Sequence, residues 1–259
     1  METITIENSK WKNFTIQLKR SYAVSKKDMK IYYNKAPVLI QGILFPIILF
    51  FAFTIGRQVA PVYMVSGLMA MVAFLISTLM SPVTLPWETA QKTLERLITS
   101  PISIKTILLG NVWSSLIYGA AFSLIPLIIG LILVPSWISI TLPLIILGCI
   151  VAGFMFSSFS LILSAPPSDT VSTSMILTLI IKFPLIIISP LFMPISSPFY
   201  LISPLTYFID IVNFGLTGLS VFGPYGVLLD FGILFVLGFG FLFLAFALHK
   251  KTLEKRFRG

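Results

Sequence analysis

The chain has 259 residues, of which 57% are hydrophobic and only 10% charged, and its mean hydropathy is +1.00. A soluble domain carries about 25% charge, so this composition excludes one and requires an integral membrane protein. The formal charge of +9 suggests nucleic acid in a soluble chain, but here Lys and Arg collect in the two tails, which membrane orientation explains better.

Most apolar runs exceed the ~20 residues needed to cross the hydrocarbon core, so the expected fold is all-α, one helical bundle rather than a barrel. Cys149 is the single cysteine and sits in an apolar run, which excludes an intrachain disulfide and predicts a buried structural thiol. His249 is the sole histidine, at the end of the last apolar run, where it reads as an interfacial residue. A His/Cys metal cluster is therefore excluded, as is a Ser-His dyad within the membrane unless His249 moves inward. There is no GxxxxGK[ST], so the chain binds no nucleotide by a P-loop. Neither catalysis nor a cofactor is expected in this chain.

Residues 1–37 form a polar leader that does not fit a cleavable signal peptide, so the first span is expected to remain in the mature chain. Its segment KWKNFTIQLKRSYAVSKKDMKIYYNK interleaves Lys and Arg with Trp11, Phe14, Leu18, Tyr22, Met29, Tyr32 and Tyr33, a mixture suited to an anionic lipid surface. Nucleic acid is the rival for such a segment, but its direct attachment to a hydrophobic span favours lipid.

Six spans are predicted between residues 38 and 248: Val38–Ile55, Val62–Leu85, Thr106–Val134, Ile140–Leu163, a fifth from Val171 to about Leu191, and Val227–Leu248. Between the second and third lies the one long polar interruption, WETAQKTLERLITSPISIK. Read as a helix from Trp87, it puts Trp87, Ala90, Leu94, Leu97 and Ile98 on one stripe and Glu88, Gln91, Lys92, Glu95 and Arg96 on the other. Glu88 then lies in the first turn, with Lys92 at i+4 as its ion-pair partner. Pro101 ends the segment, and Ser103 caps the next helix. An ordinary loop helix at the lipid interface has the same periodicity.

The stretch between spans five and six, from Ser189 to Gly226, holds five prolines yet is too apolar for a solvated loop. A re-entrant or broken-helix element over 192–224 fits it; a folded external loop is the alternative. Residues 249–259 are a basic tail. The leader holds eight Lys and Arg, the 86–105 segment three and the tail five, against Arg57 alone in the first turn and none in the 135–139 turn. Positive-inside then places both termini and the polar helix in the cytoplasm, which requires an even number of spans. The 164–170 turn carries Asp169 and no basic residue, and lends the rule no support.

Three charges fall at unusual positions. Lys182 lies about twelve residues into span five, where an ionised group should face protein or water. It lines a translocation path, pairs with a carbonyl at a dimer interface, or is satisfied by helix carbonyls exposed near Pro184 and Pro190. Asp210 and Asp230 flank the irregular region, with Arg57 as one possible partner.

The run ETAQKTLERLITSPISIKTILLGN resembles the segment after the second span of ABC-2-type transporter permeases, where Glu leads into a TLE-[RQ]-L sequence closed by Ser-Pro or Thr-Pro. The leader resembles that family's interfacial elbow helix. Pro204, Leu205, Thr206, Tyr207 and Asp210 resemble the P-L-T-Y and following acid of its re-entrant region. Lys92 replaces the family's usual Gly, and Asn213 stands where many members carry Arg.

The resemblance implies an all-α permease subunit of an exporter in the plasma or inner membrane, paired with a second copy, most simply a homodimer. It also implies a separate ATPase subunit that holds ATP and Mg. In that family residues 87–101 would be the coupling helix, contacting the ATPase through Trp87, Glu88, Leu94, Glu95, Arg96, Leu97 and Pro101, while Lys182, Tyr207 and Asp210 become candidates for the path or the interface. A self-sufficient channel or an ion-coupled carrier is the competing class, with Lys182 and Asp210 as its coupling charges; the lack of any visible inverted repeat weakens it.

Overall fold

A computed structural model describes residues 2–33, 40, 44–56, 58–91, 102–138, 140–166, 171–191, 195–223 and 225–258. Among these every regular element is helical. Helix α1 (Glu2–Asp28) continues into a π-helical turn, Met29–Tyr33. Then follow α2 (Phe45–Thr54), α3 (Pro61–Ser77), α4 (Ser81–Ala90), α5 (Ile104–Leu133), α6 (Leu142–Leu163), α7 (Val171–Ile188), α8 (Pro204–Thr217) and α9 (Gly226–Arg258).

Among the described residues four helical stretches are long and apolar enough to cross a bilayer: Pro61–Glu88, Ile104–Leu133, Leu142–Leu163 and Gly226–Thr252. At 22 residues the shortest spans about 33 Å. Helix α7 is apolar but shorter, and only Phe45–Thr54 of the expected first span is described as α-helix.

The core forms where these helices cross. Met69, Met71, Phe74, Met155, Phe156, Leu205 and Phe208 are fully buried in one cluster, with Phe74 edge-on to Phe156 at 5.2 Å and Phe156 edge-on to Phe208 at 6.5 Å. Outward-facing apolar side chains such as Ile132, Ile180, Ile187 and Val236 are exposed, as lipid-facing positions are. Cys149 is buried, and Ser123 Oγ donates to its Sγ at 3.4 Å.

Two helix boundaries follow from local chemistry. Ser103 accepts the Thr106 N–H at 3.2 Å and caps α5, as its position predicts. Helix α8 ends at Gly218, whose φ of +75° is the left-handed conformation glycine tolerates, with its N–H donating to the Phe214 carbonyl at 2.7 Å.

The polar helix expected to begin at Trp87 does not begin there. Trp87, Glu88 and Ala90 are the last turn of α4, which continues span two beyond a break at residues 78–80. Pro82 lies in the first turn of α4, where its missing N–H costs little, and the helix carries on through Pro86. Two residues lie opposite to the predicted sides, Glu88 being 2% exposed and Trp87 48% exposed, while Gln91 is exposed as predicted. Leu94, Glu95, Arg96, Leu97 and Pro101 lie outside the described residues, as does Lys92.

Candidate functional site

At the end of α4 the chain meets α1. Helix α1 lies along α5, and Gly110 permits the approach: a Cβ there would stand 2.7 Å from the Val24 side chain and 2.9 Å from the Ser21 carbonyl. Gln17 Oε1 accepts from Thr106 Oγ1 at 2.6 Å, tying α1 to the start of α5 as well. So packed, α1 carries Lys27 over the buried end of α4, where its ammonium pairs with Glu88 and lies 3.2 Å from Asp28. Lys27 is one-third exposed, whereas both carboxylates are sequestered.

Lys27 thus faces two acids. Burial, the largest influence on Asp28, pushes its carboxyl up to about 7; Lys27 opposes that shift and Glu88 adds to it. Burial draws Lys27 down, but the charges of Asp28 and Glu88 outweigh it and hold the amine above its ordinary value. Tyr32, on the π-helical turn, is raised by burial and then by the same carboxylates. Glu88 thus pairs across 61 residues of sequence; Lys92, its expected partner, lies outside the described residues. Lys27 and Asp28 carried no site assignment from sequence; an Asp beside Lys in an interfacial leader was the available signal.

Lys182 is 3% exposed and donates to the Thr78 carbonyl at 2.7 Å. In an uninterrupted helix that carbonyl would accept from the N–H of residue 82, which is proline. The lysine therefore satisfies a carbonyl freed in span two, and not one near Pro184 or Pro190 in its own helix. A cavity of 140 Å³ lies beside it, walled by Phe45, Leu75, Leu79, Leu179 and Phe183.

Tyr207 and Asp210 lie on α8, away from that lysine in the sequence and bound to other groups. Tyr207 Oη donates to the Leu201 carbonyl at 2.9 Å. Asp210, fully buried, accepts from Ser220 Oγ at 2.6 Å and the Val221 N–H at 3.1 Å, folding the segment after Gly218 back onto α8. Asp230, also fully buried, lies beside Asp210. Arg57, an expected partner, lies outside the described residues. Helix α8 is held tightly against α6: Thr141 Oγ1 donates to the Gly215 carbonyl at 2.8 Å, and a Cβ on Gly215 would stand 2.2 Å from Ile145 Cγ1. His249 is buried; its Nε2 lies 2.9 Å from the Leu161 carbonyl, and Thr252 Oγ1 donates to the Ala165 carbonyl at 3.1 Å, so both join α9 to the end of α6.

No group of three or more His, Cys, Asp or Glu side chains suited to a metal ion occurs among the described residues. No curated protein sequence matches the chain significantly. A sequence model described as ABC-2 type transporter matches residues 14–217, from within α1 to the end of α8. With that match over most of its length and several apolar helices, the chain belongs to the ABC-2 type transporter family and is a multi-pass membrane permease component of an ABC transporter.

Proposed function

We propose that this chain is the permease of an exporter in the plasma or inner membrane, working as a homodimer driven by a separate ATPase subunit that binds ATP and Mg. The segment from Trp87 to Pro101 is where the ATPase pushes, with Leu94, Glu95, Arg96, Leu97 and Pro101 as contacts and Trp87 exposed at its entry. Glu88, being buried, serves as an anchor rather than a contact.

The observation that carries this reading is the Lys27–Glu88 pair. The polar segment leaves α4 at a point pinned to α1, and returns at Ser103 into α5, on which α1 also lies. Force applied to residues 92–101 is then delivered to span two, span three and the leader together rather than bending one connection. Six spans, a re-entrant pair over 192–224, and both termini on the ATPase side complete the arrangement; the counts of Lys and Arg support that orientation. The leader lies on the anionic cytoplasmic leaflet, and Lys182, Tyr207 and Asp210 border the path or the dimer interface.

The test uses the permease purified with its ATPase in liposomes. Replacing Glu95 and Arg96 together by Ala is expected to uncouple the complex, lowering substrate-stimulated ATP hydrolysis and transport at least tenfold while assembly of the membrane subunit persists. Unchanged rates would overturn the contact assignment, and gradient-driven flux without any ATPase would favour a self-sufficient channel or carrier.

A further inference from the structure

The chemistry at Lys182 exceeds what its structural bond requires. An ammonium has three N–H donors, and among the described residues the Thr78 carbonyl is the hydrogen-bond acceptor this one meets. No described carboxylate forms an ion pair with it. The remaining donors lie at a cavity of 140 Å³, close to the ~150 Å³ that accommodates a benzene-sized molecule in an apolar core. Apart from Thr178, whose hydroxyl donates to the Met175 carbonyl at 2.8 Å, its other walls are apolar, Phe45 coming from α2, Leu75 and Leu79 from span two, and Leu179 and Phe183 from α7.

The cavity borders an exposed apolar surface. Phe45, Met175, Leu179 and Phe183 are only partly buried, and the neighbouring Ile48 of α2 and Ile176 and Ile180 of α7 are exposed. A small inorganic anion would have to shed its water to reach such a site. An acid carried on an apolar chain arrives through the hydrocarbon and leaves its tail there.

We propose that this cavity binds the acid group of an anionic amphiphile, with Lys182 as the counter-charge and the aromatic and leucine walls around the first carbons of the chain. The acid supplies either an anion to an ammonium already formed or the proton that makes one from the amine, and both routes end in the same ion pair. The inference rests on the permease reading only where it makes such a molecule the transported class; occupancy itself does not depend on the ATPase.

The experiment measures binding to the full chain in phosphatidylcholine nanodiscs of three probes: oleate, dioleoyl phosphatidate and oleyl alcohol, the last having the chain of oleate without its acid. Saturable binding of oleate, phosphatidate or both is expected; which of them binds distinguishes a single-chain acid from a bilayer lipid. Lys182→Met should weaken that binding roughly tenfold or more, the scale of a charge-assisted contact, Lys182→Arg should retain it, and oleyl alcohol should not respond to either change. Because Lys182→Met also removes the Thr78 contact, Leu179→Trp is measured beside it: it fills the cavity with that contact in place, and should abolish acid binding with the melting midpoint preserved.

Absence of acid binding, equal binding by the wild type and Lys182→Met, full binding by Leu179→Trp, or the same lysine dependence for oleyl alcohol would each overturn the proposal. None of these outcomes bears on the Glu95 and Arg96 test, so either reading can fail alone. If acid binding holds, ATP-dependent export of the bound probe by the complete transporter distinguishes cargo from a resident lipid.

Discussion

Lys27→Met tests whether the leader is bolted to the end of span two. The substitution keeps most of the apolar stem and removes the charge that lies between Asp28 and Glu88, whose side chains are 1% and 3% exposed. Taking one partner from a fully buried pair costs about 3–5 kcal/mol. Two features bring the figure down here. Lys27 is itself 32% exposed, so water already screens part of the attraction. Asp28, already raised to about 7, takes up a proton once the lysine no longer opposes it. The expected loss is therefore about 2 kcal/mol, or roughly 4–8 °C in the melting midpoint for a chain of this size.

Glu88→Gln leaves the 3.2 Å Lys27–Asp28 contact intact and should cost less, about 1 kcal/mol. The double variant should melt above the sum of the two single losses, because each change removes the same contact. The assay is thermal unfolding of the full chain in nanodiscs, with hydrogen exchange over α1 as a local readout. A midpoint for Lys27→Met no lower than that of Lys26→Met, whose side chain is exposed, would refute the reasoning.

The Asp28 carboxyl makes stability depend on pH. Its folded pKa of about 7 lies above the ordinary value of 3.8, so between those limits the folded chain holds a proton that the unfolded chain releases, and stability falls as pH rises from about 4 to 7. Asp28→Asn should flatten that slope and raise the melting midpoint at pH 8, with little change at pH 4; pH-resolved melting measures both. Gly110→Ala places a methyl 2.7 Å from Val24 and 2.9 Å from the backbone of Ser21, and is expected to cost about 1–3 kcal/mol and speed hydrogen exchange across residues 15–28. Ser103→Ala removes the side-chain acceptor of the Thr106 N–H, leaving the Ser103 carbonyl at 2.9 Å, and should lower stability by about 0.5–1 kcal/mol, with faster exchange confined to the first turn of α5.

Hydrophobic run length settled the material and the fold class, because an apolar segment in lipid must satisfy its backbone internally and becomes a helix wherever it lies. Helices α5, α6 and the apolar part of α9 stand within a few residues of limits predicted from the apolar runs, and the Ser103 cap is local chemistry read from adjacent residues. Lys182 drew attention from sequence because a cation so deep in an apolar run needs a partner. Which partner was not legible: the Thr78 carbonyl is 104 residues away, in the break between α3 and α4, although Pro82, four residues beyond Thr78, marked that carbonyl as free.

The same limit explains Glu88. Periodicity assigned it to the polar side of a new helix, since one-dimensional patterns register alternation but not what packs opposite. Its burial was decided by tertiary packing, with Lys27 of α1 brought beside it from 61 residues away. Sequence alone determined that this chain is a helical membrane protein with one polar interruption among its spans. Tertiary packing decided that this interruption begins from a buried glutamate paired with a distant lysine and that Lys182 borders a cavity, because both depend on distances between helices that no local spacing encodes.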